Sequence, residues 1–160
     1  MNGTNNKISL FISDVDGTLT DGGMYYSSEG EVMKKFNTRD AVGLRLLQES
    51  NIKVALITGE DSDIVRARAA KLNIQHLYTG IKDKVNILDH LCSELNIAPR
   101  QVAYVGDDIN DLEIMKQVGI SFAVSDAEPI VYEIATIQLT KPGGHGAVRE
   151  AVRYILEHNL

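Results

Sequence analysis

The run Ile8-Ser9-Leu10-Phe11-Ile12-Ser13-Asp14-Val15-Asp16-Gly17-Thr18 decides how this chain is read. Its first six residues are largely apolar without a helical period, as in a strand buried on both faces. The strand stops at two carboxylates spaced two apart, followed by a glycine that lets the backbone turn sharply. A buried strand that ends in acids puts charge at the rim of a sheet, and in parallel α/β sheets that rim is where ligands bind.

Working outward, further short runs read as strands: Lys53–Thr58, Gln75–Tyr78, Val102–Val105, Ser121–Val124 and Thr136–Leu139. Between them, 39–50, 62–72, 84–95, 111–118 and 146–158 carry apolar residues at helical spacing, with Asp61 and Asn110 as expected N-caps. Alternating strands and helices predict a doubly wound parallel α/β sheet covered on both faces. One segment breaks the alternation. Gly23–Ser27 and Glu31–Phe36 flank the turn Ser28-Glu29-Gly30 and predict a β-hairpin inserted after the first strand, over about 23–36.

At 160 residues with 44% hydrophobic and 24% charged content, the chain fits one domain spanning 1–160. Its longest apolar runs are strand-sized, so no membrane span is expected. The polar start Met1-Asn2-Gly3-Thr4-Asn5-Asn6 lacks the pattern of a secretory signal, and a cytoplasmic location is expected. A net charge of −6 argues against broad binding to nucleic acid or anionic lipid, so any anionic ligand needs a local positive site. The single cysteine, Cys92, is spaced with Leu88 and Leu95 and reads as a buried thiol. The four histidines are scattered without ligand spacing.

If the sheet is parallel, its strand ends bring together Asp14, Asp16, Thr58-Gly59 and Gly106-Asp107-Asp108, with Lys84 opening a helix nearby. Close carboxylates either take up protons or bind a cation, and an oxygen-only donor set favours a hard ion such as Mg²⁺. Asp14 is the candidate nucleophile and Asp16 the general acid and later base, with the Asp16 carbonyl available to a metal. Thr58 suits the non-bridging phosphate oxygens, Lys84 charge neutralisation, and Asp107 the metal, with Asp108 or Asp111 in an auxiliary role. A phosphoaspartate receiver module would carry its acceptor aspartate after the third strand, where Gln75–Gly80 offers none. A dinucleotide-binding domain would need Gly-x-Gly-x-x-Gly after the first strand, which is absent.

Asp14-Val15-Asp16-Gly17-Thr18, Thr58, Lys84 and Gly106-Asp107-Asp108 resemble the four motifs of the haloacid dehalogenase superfamily of phosphatases. More narrowly, Thr20-Asp21-Gly22, Lys35–Asp40, Ala103–Asp108 and Gly143–Glu150 resemble the 3-deoxy-D-manno-octulosonate 8-phosphate phosphatases of lipopolysaccharide biosynthesis. The resemblance implies a Mg²⁺-dependent enzyme without a cap domain, assembled as a homotetramer in which the hairpin of one subunit covers its neighbour's site. The spacing agrees, since only the hairpin, a helix and a strand fit between Asp16 and Thr58, and a helix and a strand between Thr58 and Lys84.

Positions matching Asn37, Thr38, Arg39, Asp40, Ala41, Arg45, Arg68 and Lys84 line the sugar-acid pocket in that subgroup. Arg68 lies on the apolar stripe of its helix and should meet an anion or an acidic partner. Where the octulosonate phosphatases commonly carry arginine after Thr58-Gly59, this chain has Glu60. Glu60 with Lys71 resembles instead the phosphatases of nine-carbon acids, 2-keto-3-deoxynononate or N-acylneuraminate 9-phosphate. The eight-carbon substrate is expected first and the nine-carbon one second.

Overall fold

The computed structural model describes residues 7–158; the polar segment at 1–6 lies outside them. The elements follow one another as β1 (Leu10–Ser13), β2 (Tyr25–Ser27), β3 (Gly30–Met33), α1 (Thr38–Glu49), β4 (Lys53–Ile57), α2 (Asp63–Lys71) and β5 (His76–Tyr78). They continue as α3 (Lys84–Leu95), β6 (Val102–Gly106), α4 (Leu112–Met115), β7 (Ile120–Ala123), α5 (Pro129–Ile134), β8 (Ile137–Gln138) and α6 (Ala147–His158). Six strands form one parallel sheet in the order β5-β4-β1-β6-β7-β8. This is the expected doubly wound parallel α/β sheet, covered by helices on both faces. Among the described residues no cap domain separates its motifs.

Strand alternation divides the core in two. Phe11, Val54, Leu56, Ala103 and Val105 face α1, α2 and α6, while Leu10, Ile12, Ala55, Ile57, Val102 and Tyr104 face α3, α4 and α5. All four β1 residues are buried, since β1 lies between β4 and β6 and is covered on both faces. The central position of β1 explains why its exit carries the site. Its ladder continues one residue further, with Asp14 N donating to Val105 O at 3.0 Å, which holds that residue against the end of β6. Cys92 is buried among the second cluster, and burial raises its thiol pKa, so it packs as a small hydrophobe.

The hairpin pairs Tyr25 with Met33, Tyr26 with Glu31 and Ser27 with Gly30, with a register shift between Tyr25 and Tyr26. It is shorter than the sequence suggested. Gly30 opens β3 instead of closing the turn, and Lys34 leaves the ladder to turn inward. A single bridge between Thr20 and Phe36 closes the hairpin's base.

Both expected caps are corrected. α2 begins after Ser62, and Asp61 pairs instead with the Arg66 guanidinium. Asn110 lies within a short 3₁₀ turn, Ile109–Asp111, capped by Asp108, and α4 spans only four residues of the expected 111–118. α1 is capped through the side chain of Asn37 and α3 through that of Asp83, whose carboxylate accepts from the amides of Val85 and Asn86. α5, with proline in its first turn, had no apolar period long enough to announce it.

Candidate active site

The C-terminal rim of the sheet gathers Asp14 from β1, Thr58 from β4, Asp107 from β6 and, from the start of α3, Lys84. Ligand atoms of Asp14, Asp107 and Asp111 all lie within 4.8 Å of one another. Lys84 Nζ donates to Asp14 Oδ1 and to Asp111 Oδ1, each at 2.6 Å, and to the Tyr104 hydroxyl at 3.2 Å. Tyr104 donates in turn to Asp111 Oδ1 at 2.5 Å. The other Asp111 oxygen accepts from the amides of Asp107 and Asp108 at 2.9 and 3.2 Å. Asp111 is therefore fully engaged. It anchors Lys84 and the Asp107 backbone, while Asp108 is exposed and caps the turn.

Three carboxylates against one ammonium carry excess negative charge in an enclosed place. Burial, followed by the charge of Asp111, holds the Asp14 carboxyl well above its usual range despite Lys84. The same causes push Asp107 up to about 7. Burial and Asp111 also hold the Tyr104 hydroxyl far above the usual phenol range. For Lys84, burial alone would lower the pKa, but Asp14 and Asp111 outweigh it and leave it raised. A cluster that protonates for want of a counter-charge, with only oxygen donors, fits a hard divalent cation.

Asp16 does not join that cluster through its side chain. Its Oδ1 accepts from Lys34 at 2.5 Å and its Oδ2 from the Thr58 hydroxyl at 3.0 Å. Among the described residues its backbone carbonyl accepts no hydrogen bond, which leaves it available as a ligand. Thr18 donates to Asp107 Oδ1 at 3.0 Å and so orients the carboxylate that follows β6.

Two glycines make the loop possible. Gly17 has φ +86°, and a Cβ there would stand 2.1 Å from Asp107 Oδ2. A Cβ at Gly143 would stand 1.8 Å from Gly17 O, so the segment before α6 presses directly on the loop that follows β1. Gly144 N donates to Thr18 O at 3.0 Å and completes that contact.

The expected substrate residues are spread over the neighbouring surface. Asn37 caps α1 and donates to Gly144 O at 3.2 Å. Asp40 is buried and accepts from Arg149 N at 2.8 Å; burial raises its pKa. Thr38 is exposed and Ala41 half-buried. Arg39 borders a cavity of about 390 Å³ with Lys141, Arg149 and Arg153. Arg45, paired with Glu49 at 3.6 Å, borders another cavity with Lys71. Gly59 and Glu60 are exposed beside Thr58.

Arg68, expected to meet an anion or an acidic partner, has its guanidinium over the Phe36 ring, 5.3 Å from the centroid, and among the described residues no carboxylate pairs with it. An aromatic face can accept a cation, and stacking on it leaves the guanidinium's charge uncompensated and able to receive an anion. Sequence reasoning missed Lys34, Glu31, Ser62 and Tyr104. Tyr104 gave no signal apart from the apolar strand around it. Lys34 occupied a hairpin position where lysine is ordinary.

A family model for haloacid dehalogenase-like hydrolases matches residues 74–151. A phosphatase relative in Salmonella typhi is 46% identical over 150 residues, covering 94% of this chain and 80% of the relative. Its fold, the sheet-edge acids and this similarity together place the chain: it belongs to the haloacid dehalogenase-like hydrolases. That Salmonella relative is named 3-deoxy-D-manno-octulosonate 8-phosphate phosphatase KdsC. A crystal structure of the Yersinia pestis enzyme of that name superposes with a TM-score of 0.92 at 45% identity, covering 96% of this chain and 82% of its own. One from Moraxella catarrhalis, in complex with magnesium, phosphate and KDO, superposes at 0.91 with 40% identity, covering 96% and 88%.

Proposed function

We propose that this chain is a magnesium-dependent phosphatase that converts 3-deoxy-D-manno-octulosonate 8-phosphate to the free sugar acid and inorganic phosphate. The observation that carries the reading is Asp14, placed at the exit of the central strand with one oxygen held by Lys84 and carboxylates of Asp107 and Asp111 beside it. The similarity of relatives so named, over 94% of the chain, supports the same substrate.

Asp14 attacks phosphorus in line and forms an aspartyl-phosphate while Asp16 gives its proton to the departing oxygen. Asp16 then takes a proton from the water that attacks phosphorus and releases phosphate from Asp14. The Thr58 hydroxyl turns from Asp16 to a non-bridging oxygen, joined by the Gly59 amide, and Lys84 offsets the charge gathering on Asp14. Asp14, Asp107 and the Asp16 carbonyl would hold Mg²⁺, braced by Asp111, and the ion would screen the approach of one anion to another.

For the sugar acid, Asn37–Ala41, Arg45, Arg68, Lys71 and Lys84 are the binding residues, with Glu60 beside the phosphate-binding Thr58. Their spread over the surface of one protomer suits a homotetramer in which the hairpin covers a neighbouring site. The exposed Met24, Tyr25, Tyr26, Val32 and Met33 on that hairpin support this assembly. A cytoplasmic enzyme acting on a lipopolysaccharide precursor accords with the reading. Glu60 and Lys71 favour a second reading, a nine-carbon acid 9-phosphate.

The test compares kcat/KM for the eight-carbon and nine-carbon phosphates in the wild type and in Glu60→Arg. The eight-carbon substrate is expected to lead, and the ratio to move with Glu60. Chelation and Asp14→Asn should each abolish turnover; sustained activity in Asp14→Asn would refute the mechanism.

A further inference from the structure

Lys34 is the most enclosed cation at the hairpin's base. Its side chain is 0% exposed, and its Nζ lies 2.5 Å from Asp16 Oδ1 and 2.6 Å from Glu31 Oε1. The other Glu31 oxygen accepts from the Ser62 hydroxyl at 2.8 Å, which ties the pair to the residue that precedes α2. A lysine on a surface hairpin can keep its ammonium in water with its stem along the protein. Burying it requires anionic partners, and apolar side chains in the same space would hold the hairpin at least as well. What the ion pair adds is direction.

The direction it fixes is that of the Asp16 carboxylate. Lys34 holds Oδ1, while among the described residues Oδ2 is held only by the Thr58 hydroxyl at 3.0 Å. Thr58 is the group that the mechanism above transfers to the phosphoryl oxygens. When it turns away, Oδ2 is released and Oδ1 is not. We propose that Lys34, braced by Glu31, is a positioning residue that keeps Asp16 turned so that Oδ2 faces the leaving-group oxygen. This rests on the reading of Asp16 as the general acid.

In the first half-reaction the bond from Asp14 oxygen to phosphorus forms and the phosphorus–ester oxygen bond breaks. Once Thr58 has turned away, Oδ2 takes up a proton from solvent; that proton passes to the ester oxygen, and Lys34 keeps its protons throughout. In the second, water's oxygen bonds to phosphorus, the Asp14 oxygen leaves it, and a proton of that water returns to Oδ2. Because Glu31 and Lys34 both belong to the hairpin segment, the insertion sets the catalytic acid of its own subunit directly.

The test uses the full chain with Mg²⁺ and two substrates, a sugar-acid phosphate with an alkoxide leaving group and p-nitrophenyl phosphate, whose leaving group departs without a proton. Their kcat/KM values report events up to leaving-group departure, where the acid acts. For Lys34→Met, kcat/KM on the sugar phosphate should fall roughly 10–100-fold, while that on p-nitrophenyl phosphate stays within about threefold. Asp16→Asn serves as reference and should show the same selectivity in larger measure. Glu31→Gln leaves Lys34 in place and should show it in smaller measure, and it carries the test alone if Lys34→Met does not fold.

Equal losses on both substrates in the Lys34 and Glu31 variants, beside a selective loss in Asp16→Asn, would overturn the proposal and leave the general acid standing. Activity unchanged on both substrates in those variants would overturn it too. No selectivity in Asp16→Asn itself would remove the general acid, and the proposal with it.

Discussion

Replacing Tyr104 by phenylalanine takes one oxygen from the most enclosed part of the site and leaves the ring's packing as it is. That hydroxyl donates to Asp111 Oδ1 at 2.5 Å and accepts from Lys84 at 3.2 Å, and the residue is 0% exposed. A hydrogen bond to a charged group contributes ~1.5–3 kcal/mol net. Nothing else in the packing changes, because the aromatic ring keeps its place in the core facing α3. For a chain of this length each kcal/mol moves Tm by ~2–4 °C, so the variant should melt roughly 3–12 °C lower. The assay is calorimetry in chelator at fixed protomer concentration, which keeps metal binding and assembly from contributing to the difference.

The same measurement in an Asp111→Asn background isolates the pair. With the acceptor's charge removed, Tyr104→Phe should lose much of its effect, for a coupling energy of ~1–2 kcal/mol. A shift of less than ~1 °C in the single variant would refute the network. So would full additivity of the two changes.

In metal-free protein the native Asp107 keeps a proton up to about 7, which the unfolded chain gives up above 3.8. Stability should therefore fall as pH rises through that window, by up to ~1.4 kcal/mol per unit, and denaturant melts at successive pH values should find the slope flattened by added Mg²⁺. Gly17→Ala should lower kcat/KM by ~100-fold or more, because its Cβ would displace the Asp107 carboxylate at a backbone angle that alanine resists. Steady-state kinetics on the folded variant would check it, with wild-type activity as the contrary result.

The strands and their acids are legible in the sequence because both depend on local signals. Each buried parallel strand is an apolar run of four or five residues, and the acids stand where those runs stop. Lys84 is legible for the same reason, since it opens a helix after a strand. Lys34 and Tyr104 are not, because what they do depends on contacts 18 and 7 residues away, to Asp16 and Asp111. No local pattern separates a buried lysine of a hairpin from an exposed one. The caps fail for a related reason: Asp61 is available to α2 but is drawn to Arg66 and Thr79 by tertiary geometry. Arg68 stands out on an apolar face from spacing alone, but its partner is the Phe36 ring, which spacing does not bring near it.

The contact of Gly143 and Gly144 with Gly17 and Thr18 joins the loop after β1 to the loop before α6. During synthesis the strand carrying Asp14 emerges early, yet the loop beyond it has no wall to lean on until the residues around 143 have left the ribosome. α6, which follows that segment, packs on α1 and closes the same face of the sheet. A nascent chain halted before that point can hold Asp14 but not the shape around it. The wall that shapes the loop after Asp14 is thus built from residues far along the sequence, at 143 and 144.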